Sequence, residues 1–194
     1  GIAKGQIIRE IDALGGYSGV ISDLSAIQFR MLNKSKGPAM WSPRTQNDRV
    51  IFTNEWRNKL ESTENLSFWQ DSVVRLVLEN GKICGVVTGL GVEVKSKSVV
   101  LTSGTFMNGL MHFGDRKVEG GRAGEKSSFG ITRQLEDAGF ETGRMKTGTP
   151  PRVDGRSLDF GLMEEQMGDS EPEKFSFSRE TSPLKKQRPC FITY

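Results

Sequence analysis

Hydrophobic and polar positions change their period along this chain, and each change marks an element. Ile7, Ile8, Ile11 and Leu14 recur at one-face helical spacing, and Gly15-Gly16 follows as a stop, which predicts a packing helix. Ile27-Gln28-Phe29-Arg30-Met31 alternates instead, as a half-buried strand does, and runs into the basic, glycine-bearing loop Asn33-Lys34-Ser35-Lys36-Gly37-Pro38. Ser42-Pro43 reads as an N-cap and first-turn proline for a long helix. Its Phe52, Trp56 and Leu60 fall on one stripe, with Trp56 in the core. From Leu66 the period becomes two: residues 72–78 and 83–87 flank Glu79-Asn80-Gly81-Lys82, and Asn-Gly is a strong hairpin signal. A third strand over 91–95 completes a meander. Residues 98–105 then form an apolar strand that ends in Ser103-Gly104-Thr105.

This order of helix, strand, antiparallel meander and short apolar strand predicts an α/β chain in which the meander decorates a parallel, dinucleotide-binding type of sheet. Ligands in such sheets lie beyond the carboxyl ends of strands, so Ser103, Gly104 and Thr105 are candidate cofactor contacts. The G-x-G-x-x-G fingerprint is missing, because Gly89-Leu90-Gly91 continues into a strand. Gly120-Gly121-Arg122-Ala123-Gly124-Glu125-Lys126-Ser127 resembles a phosphate loop, but Glu125 separates glycine from lysine and would repel phosphate, which argues against nucleotide hydrolysis. The remaining reading is a glycine-rich loop entering a helix. Ser127 or Ser128 would stand near its cap, with Ile131, Leu135 and Ala138 inward and Gly139 at its end.

Composition narrows the classes. Hydrophobic residues at 35% and charged residues at 26% fit a folded, water-facing protein, and no apolar run approaches the ~18 residues of a membrane span. With 27 basic and 24 acidic side chains the net charge is only +3, so a nucleic-acid partner must be argued from local clusters. The densest is Gly143 to Arg156, where Arg144, Lys146, Arg152 and Arg156 surround a stiff Thr149-Pro150-Pro151 corner. These are candidate contacts to the phosphates of a ligand. Cys84 and Cys190 stand in no metal-ligand or disulfide pattern, the expected home is a reducing cytoplasm, and no metal site is expected. Cys84 reads as a small buried hydrophobe in a hairpin, and the single histidine, His112, carries no assignment. The start at Gly1 and the strand-like end at Phe191-Ile192-Thr193-Tyr194 suggest an internal piece of a longer chain.

Five separated motifs then carry a resemblance. Glu10-Ile11-Asp12-Ala13-Leu14-Gly15-Gly16, residues 27–39, Leu101-Thr102-Ser103-Gly104-Thr105-Phe106, Gly120-Gly121-Arg122-Ala123-Gly124-Glu125 and Lys146-Thr147-Gly148-Thr149-Pro150-Pro151-Arg152 together resemble the MnmG (GidA) family of tRNA wobble-uridine modification enzymes. The resemblance implies a flavoenzyme that adds a carboxymethylaminomethyl group at carbon 5 of the wobble uridine. It implies FAD, NADH and methylene-tetrahydrofolate as cofactors, and tRNA and an MnmE-type GTPase as partners. A homodimer that joins the GTPase as a heterotetramer, away from membranes, is the expected assembly. By motif match Val73 and Ser128 fall at FAD-contacting positions.

On this resemblance, residues 1–147 form part of a Rossmann-like FAD-binding domain of glutathione-reductase type, and residues 148–194 begin an inserted α+β domain associated with NADH and tRNA. The family's cysteine motifs lie outside Gly1 to Tyr194, so no catalytic residue is assigned and the piece alone is expected to be inactive. Three other readings stay open: a folate- and FAD-dependent tRNA uracil methyltransferase, a small-molecule flavin oxidoreductase and a bare RNA-binding module.

Overall fold

The structure, a computed structural model, describes residues 4–148 and 153–193. Its backbone divides into two compact units, Gly1–Ser67 with Pro151–Tyr194, and Phe68–Pro150. Helices and strands are mixed in the α/β manner expected, and every described sheet is antiparallel.

The first unit opens with helix α1 (Lys4–Ala13), which stops where the glycine pair requires. Gly15 takes φ 92°, and the Gly16 amide donates to Ile11 O at 2.8 Å, closing the last turn. The expected packing face is not buried, however: Ile7, Ile11 and Leu14 are exposed. The close contact of α1 is made by buried Gly5, where a Cβ would lie 2.5 Å from Pro43 O. Helix α2 (Ser18–Ser25) follows and buries Val20 and Ile21. Strand β1 (Ala26–Leu32) pairs with β2 (Ser42–Asn47), Met31 opposite Pro43 and Arg30 opposite Arg44.

Ser42-Pro43 therefore begins a strand, not a helix. Helix α3 (Arg49–Glu61) starts later, capped by Asp48, whose Oδ1 accepts from the amides of Val50 and Ile51 at 2.9 and 3.1 Å. Trp56 on α3 is half-buried.

The other edge of β1 is completed by side chains and single backbone amides rather than by a strand. Phe29 N donates to Gln187 Oε1 at 2.7 Å and Met31 N to Asp169 Oδ2 at 2.8 Å, while Arg188 N donates to Ile27 O at 2.8 Å. Gln28, expected on a solvent face, is 1% exposed. Its amide donates to the carbonyls of Gln166 and Arg188, and its Oε1 accepts from Arg44 and from the Cys190 thiol, which satisfies a buried polar group fully. Gln28 thus ties β1 to the small sheet of β8 (Glu164–Gln166) and β9 (Cys190–Ile192). Two carboxylates pin the 175–181 segment to the helices: Asp23 accepts from the amides of Phe175 and Ser176, and Asp12 from Ser176 Oγ and Phe177 N.

The second unit is built on the meander β3 (Val73–Glu79), β4 (Lys82–Thr88) and β5 (Glu93–Lys95), as the Asn-Gly signal predicts. Asn80 and Gly81 take φ 49° and 75°, the left-handed pair that a two-residue turn needs. Asp71 braces the β4–β5 turn by accepting from the amides of Leu90 and Ser72. These bonds, that from Leu90 foremost, hold its carboxyl below the ordinary carboxylate range. A hairpin of β6 (Leu110–Phe113) and β7 (Arg116–Glu119) and helix α4 (Ile131–Asp137) complete the unit.

Residues 98–103 do not form the expected strand. They run outside any ladder, with Val100 84% exposed, because a parallel-sheet strand needs bonded neighbours and none stands beside it among the described residues.

Candidate cofactor site

In the second unit, three sequence-distant stretches meet at the start of β3. The Ser128 hydroxyl donates to Val73 O at 3.3 Å, its amide donates to Phe106 O at 2.9 Å, and its carbonyl accepts from Asn108 N at 2.9 Å. Val73 and Ser128 therefore touch. Phe106 N in turn donates to Ser103 O at 3.0 Å, closing a turn over Gly104 and Thr105 in which Gly104 takes φ 56°. Thr105 Oγ1 donates to Gly121 O at 2.6 Å, which ties that turn to the glycine-rich loop.

Glycine is needed here for space. A Cβ on Gly109 would lie 2.4 Å from Thr105 O and 2.9 Å from Gly120 O, and one on Gly121 would strike the Phe106 ring.

Ser128 is not at a helix start, which corrects the expectation. Gly130 caps α4, a helix of seven residues whose first turn carries no side-chain cap. Ile131 is buried and Leu135 half-buried as expected, but Ala138 is exposed; Gly139 ends the helix at φ 91°. The element that docks α4 is Gln134: its Oε1 accepts from Leu76 N at 2.8 Å and its amide donates to Val74 O at 3.2 Å, completing the edge of β3 as a strand would. No local pattern announced Gln134, because its partners lie 58 and 60 residues away.

The phosphate-loop look-alike closes on itself. Glu125 N donates to Arg122 O at 2.9 Å and the two side chains pair at 3.2 Å, so the charge of Arg122 is compensated within the turn. By contrast, the backbone amides of Gly104 and Thr105 donate to no acceptor among the described residues, and both residues are exposed. Two successive exposed amides around a left-handed glycine are a backbone arrangement that can donate to an anionic oxygen. The 103–105 turn, linked to Val73 through Phe106 and Ser128, is thereby the candidate contact for a ribose or phosphate oxygen.

The basic stretch is only partly assembled. Arg144 donates to Asn108 O at 3.3 and 3.4 Å, next to the Ser128 junction, and Lys146 is exposed without a partner among the described residues. Arg156 belongs to the other unit and forks onto Asp154, with Nη2 to Oδ2 at 2.6 Å; this contact lowers the Asp154 pKa and raises that of Arg156. Arg152 and the Thr149-Pro150-Pro151 corner lie outside the described residues. Cys84 sits half-buried at a bulge in β4, not fully in the core, and Cys190 serves the Gln28 network. Among the described residues no group of side chains could hold a metal ion, and no helix is long and apolar enough to cross a membrane.

A family model described as Glucose inhibited division protein A matches residues 1–194. The chain belongs to the GidA family. Curated GidA relatives are close: the Cytophaga hutchinsonii protein is 65% identical and the Flavobacterium johnsoniae protein 66% identical over 194 residues. Both bear the name tRNA uridine 5-carboxymethylaminomethyl modification enzyme MnmG. Each match covers 100% of this chain and 31% of the relative, so the chain spans about a third of the relatives' length. Aquifex aeolicus GidA in its form II crystal superposes with a TM-score of 0.89 at 44% identity, over 98% of this chain and 33% of that one. The resemblance read from the five motifs therefore holds, and so does the fold class of mixed helices and strands with an antiparallel meander.

Proposed function

We propose that this chain is part of an FAD-dependent enzyme that adds a carboxymethylaminomethyl group at carbon 5 of the wobble uridine of tRNA, in concert with an MnmE-type GTPase. The name carried by relatives at about two-thirds identity supports this activity over uracil methylation. The observation that carries the cofactor assignment is the junction of Val73, Ser128 and the 103–105 turn, where residues from three distant stretches leave two amides without acceptors among the described residues.

The residues fit a flavin dinucleotide. The Gly104 and Thr105 amides would hold a ribose or pyrophosphate oxygen, and Val73 would present its backbone to the adenine edge. Ser128 positions Val73 by its hydroxyl, and Gln134 holds β3 at a fixed height. When bound, FAD supplies electron transfer, with NADH as reductant and methylene-tetrahydrofolate as the carbon donor. Arg144 and Lys146, with Arg152 and Arg156, are proposed to face tRNA or NADH phosphates. The proposed assembly is a cytoplasmic homodimer that joins the GTPase as a heterotetramer.

The whole protein should bind FAD, whereas residues 1–194 alone should bind it weakly or not at all. The pyrophosphate site of such folds rests on a G-x-G-x-x-G turn, which this chain does not contain. Titrating both proteins with FAD checks this. Equal, tight binding by the 194-residue piece would contradict it, and a whole protein without flavin would remove the cofactor assignment.

A further inference from the structure

Two stretches of the first unit contain no Asp or Glu at all. Between Asp23 and Asp48 stand Arg30, Lys34, Lys36 and Arg44, and after Glu180 stand Lys185, Lys186 and Arg188. The structure sews these stretches together: Arg188 N donates to Ile27 O, Gln28 Nε2 donates to Arg188 O at 3.2 Å, and Gln187 Oε1 accepts from Phe29 N. Gly168 makes room for Gln187, since a Cβ there would lie 2.1 Å from the glutamine oxygen.

Charge is poorly balanced at this seam. Asp169 pairs with Lys34 at 3.1 Å, but Lys36, Lys185, Lys186 and Arg188 are exposed and make no ion pair among the described residues. Glu164 and Glu165 lie further along β8, opposite Ile192 and Phe191. Across the β1–β2 ladder Arg30 stands directly opposite Arg44, a like-charge pairing that costs stability unless an anion relieves it. Among the described residues Arg44 reaches only neutral amide oxygens, those of Gln28 and Gln166, and its buried Nε has no partner. Beside the β1–β2 ribbon, Trp41 is 40% exposed with its indole N–H anchored on Lys34 O at 3.2 Å, so a rigid aromatic face stands among the cations.

We infer that this seam, from Lys36 and Trp41 on the β1–β2 connection to Lys185, Lys186 and Arg188 along the outer edge of β1, is a docking surface for the phosphate backbone of a structured RNA. Unpaired cations on a braced backbone suit a regular anion array, and an exposed indole suits an unstacked base. The surface lies apart in sequence from the Arg144–Arg156 stretch, and it rests on the tRNA reading above.

The test is a salt series of tRNA binding by the whole protein, wild type against K185A/K186A/R188A, with melting temperature and flavin occupancy measured alongside. Each phosphate contact removed flattens the dependence of log K on log salt by roughly 0.7 to 0.9, so the triple variant should flatten it by about 2 to 3. Its melting temperature and flavin content should hold. Trp41→Ala should weaken binding with little change in slope. An unchanged slope in the triple variant, beside a steep wild-type slope, would overturn this surface and leave the tRNA reading standing. A wild type without salt-dependent tRNA binding would remove that reading itself. Loss of GTPase binding with an unchanged tRNA slope would make the surface a protein interface and overturn the proposal.

Discussion

Replacing Gly109 by alanine should strip flavin from the whole protein and lower its stability by about 1–3 kcal/mol, the range for overpacking a site that cannot give way. The added Cβ would meet Thr105 O at 2.4 Å and Gly120 O at 2.9 Å, and both are backbone atoms that no rotamer change can remove. Relief requires the glycine-rich loop to part from the 103–105 turn, which breaks the Thr105 hydroxyl bond to Gly121 O and misplaces the two free amides. Gly143→Ala is the control, because nothing lies within 4 Å of its Cβ position. Flavin content and a urea unfolding midpoint for both variants give the answer. Equal behaviour of the two would mean that the turn is not where the cofactor rests.

Ser128→Tyr should also cost most of the bound flavin, while Cys84→Ala leaves it nearly unchanged and costs on the order of 1 kcal/mol in stability. Ser128 is half-buried and bonded through hydroxyl, amide and carbonyl to Val73, Phe106 and Asn108, so a phenol there separates β3 from the turn that Phe106 closes. Cys84 sits at a bulge with its thiol 3.6 Å from Lys82 O and touches none of those groups. Absorbance of the purified variants against their protein content measures the ratio. Matched losses would place the cofactor elsewhere.

What could be read from the sequence followed from how local its cause was. Asn80-Gly81 fixed the meander because a tight hairpin demands left-handed residues at both positions, a demand met by neighbouring residues alone. Gly15 and Gly139 marked helix ends for the same reason. Ser42-Pro43 misled because a serine followed by proline suits an extended edge as well as a helix entry, and the choice was made by pairing with β1. Residues 98–103 have the composition of a sheet strand but no ladder beside them.

The candidate cofactor junction was half legible. Ser103, Gly104 and Thr105 came from a strand-end argument, Val73 and Ser128 only from the family resemblance; the hydroxyl bond between Val73 and Ser128 spans 55 residues, and Phe106 links that pair to the turn by accepting from Ser128 N and donating to Ser103 O. Gln134, Gln28 and Gln187 could not be foreseen, because each side-chain amide bonds to backbone more than 50 residues away. The acid-free seam was visible only in halves, until Arg188 was seen against Ile27.

The most direct test of the account is the nucleoside content of tRNA from cells lacking the whole protein. 5-Carboxymethylaminomethyl uridine should disappear from the wobble position, the wild-type gene should restore it, and a gene carrying Ser128→Tyr should not. Wobble uridines that keep the modification in the deleted strain would contradict it.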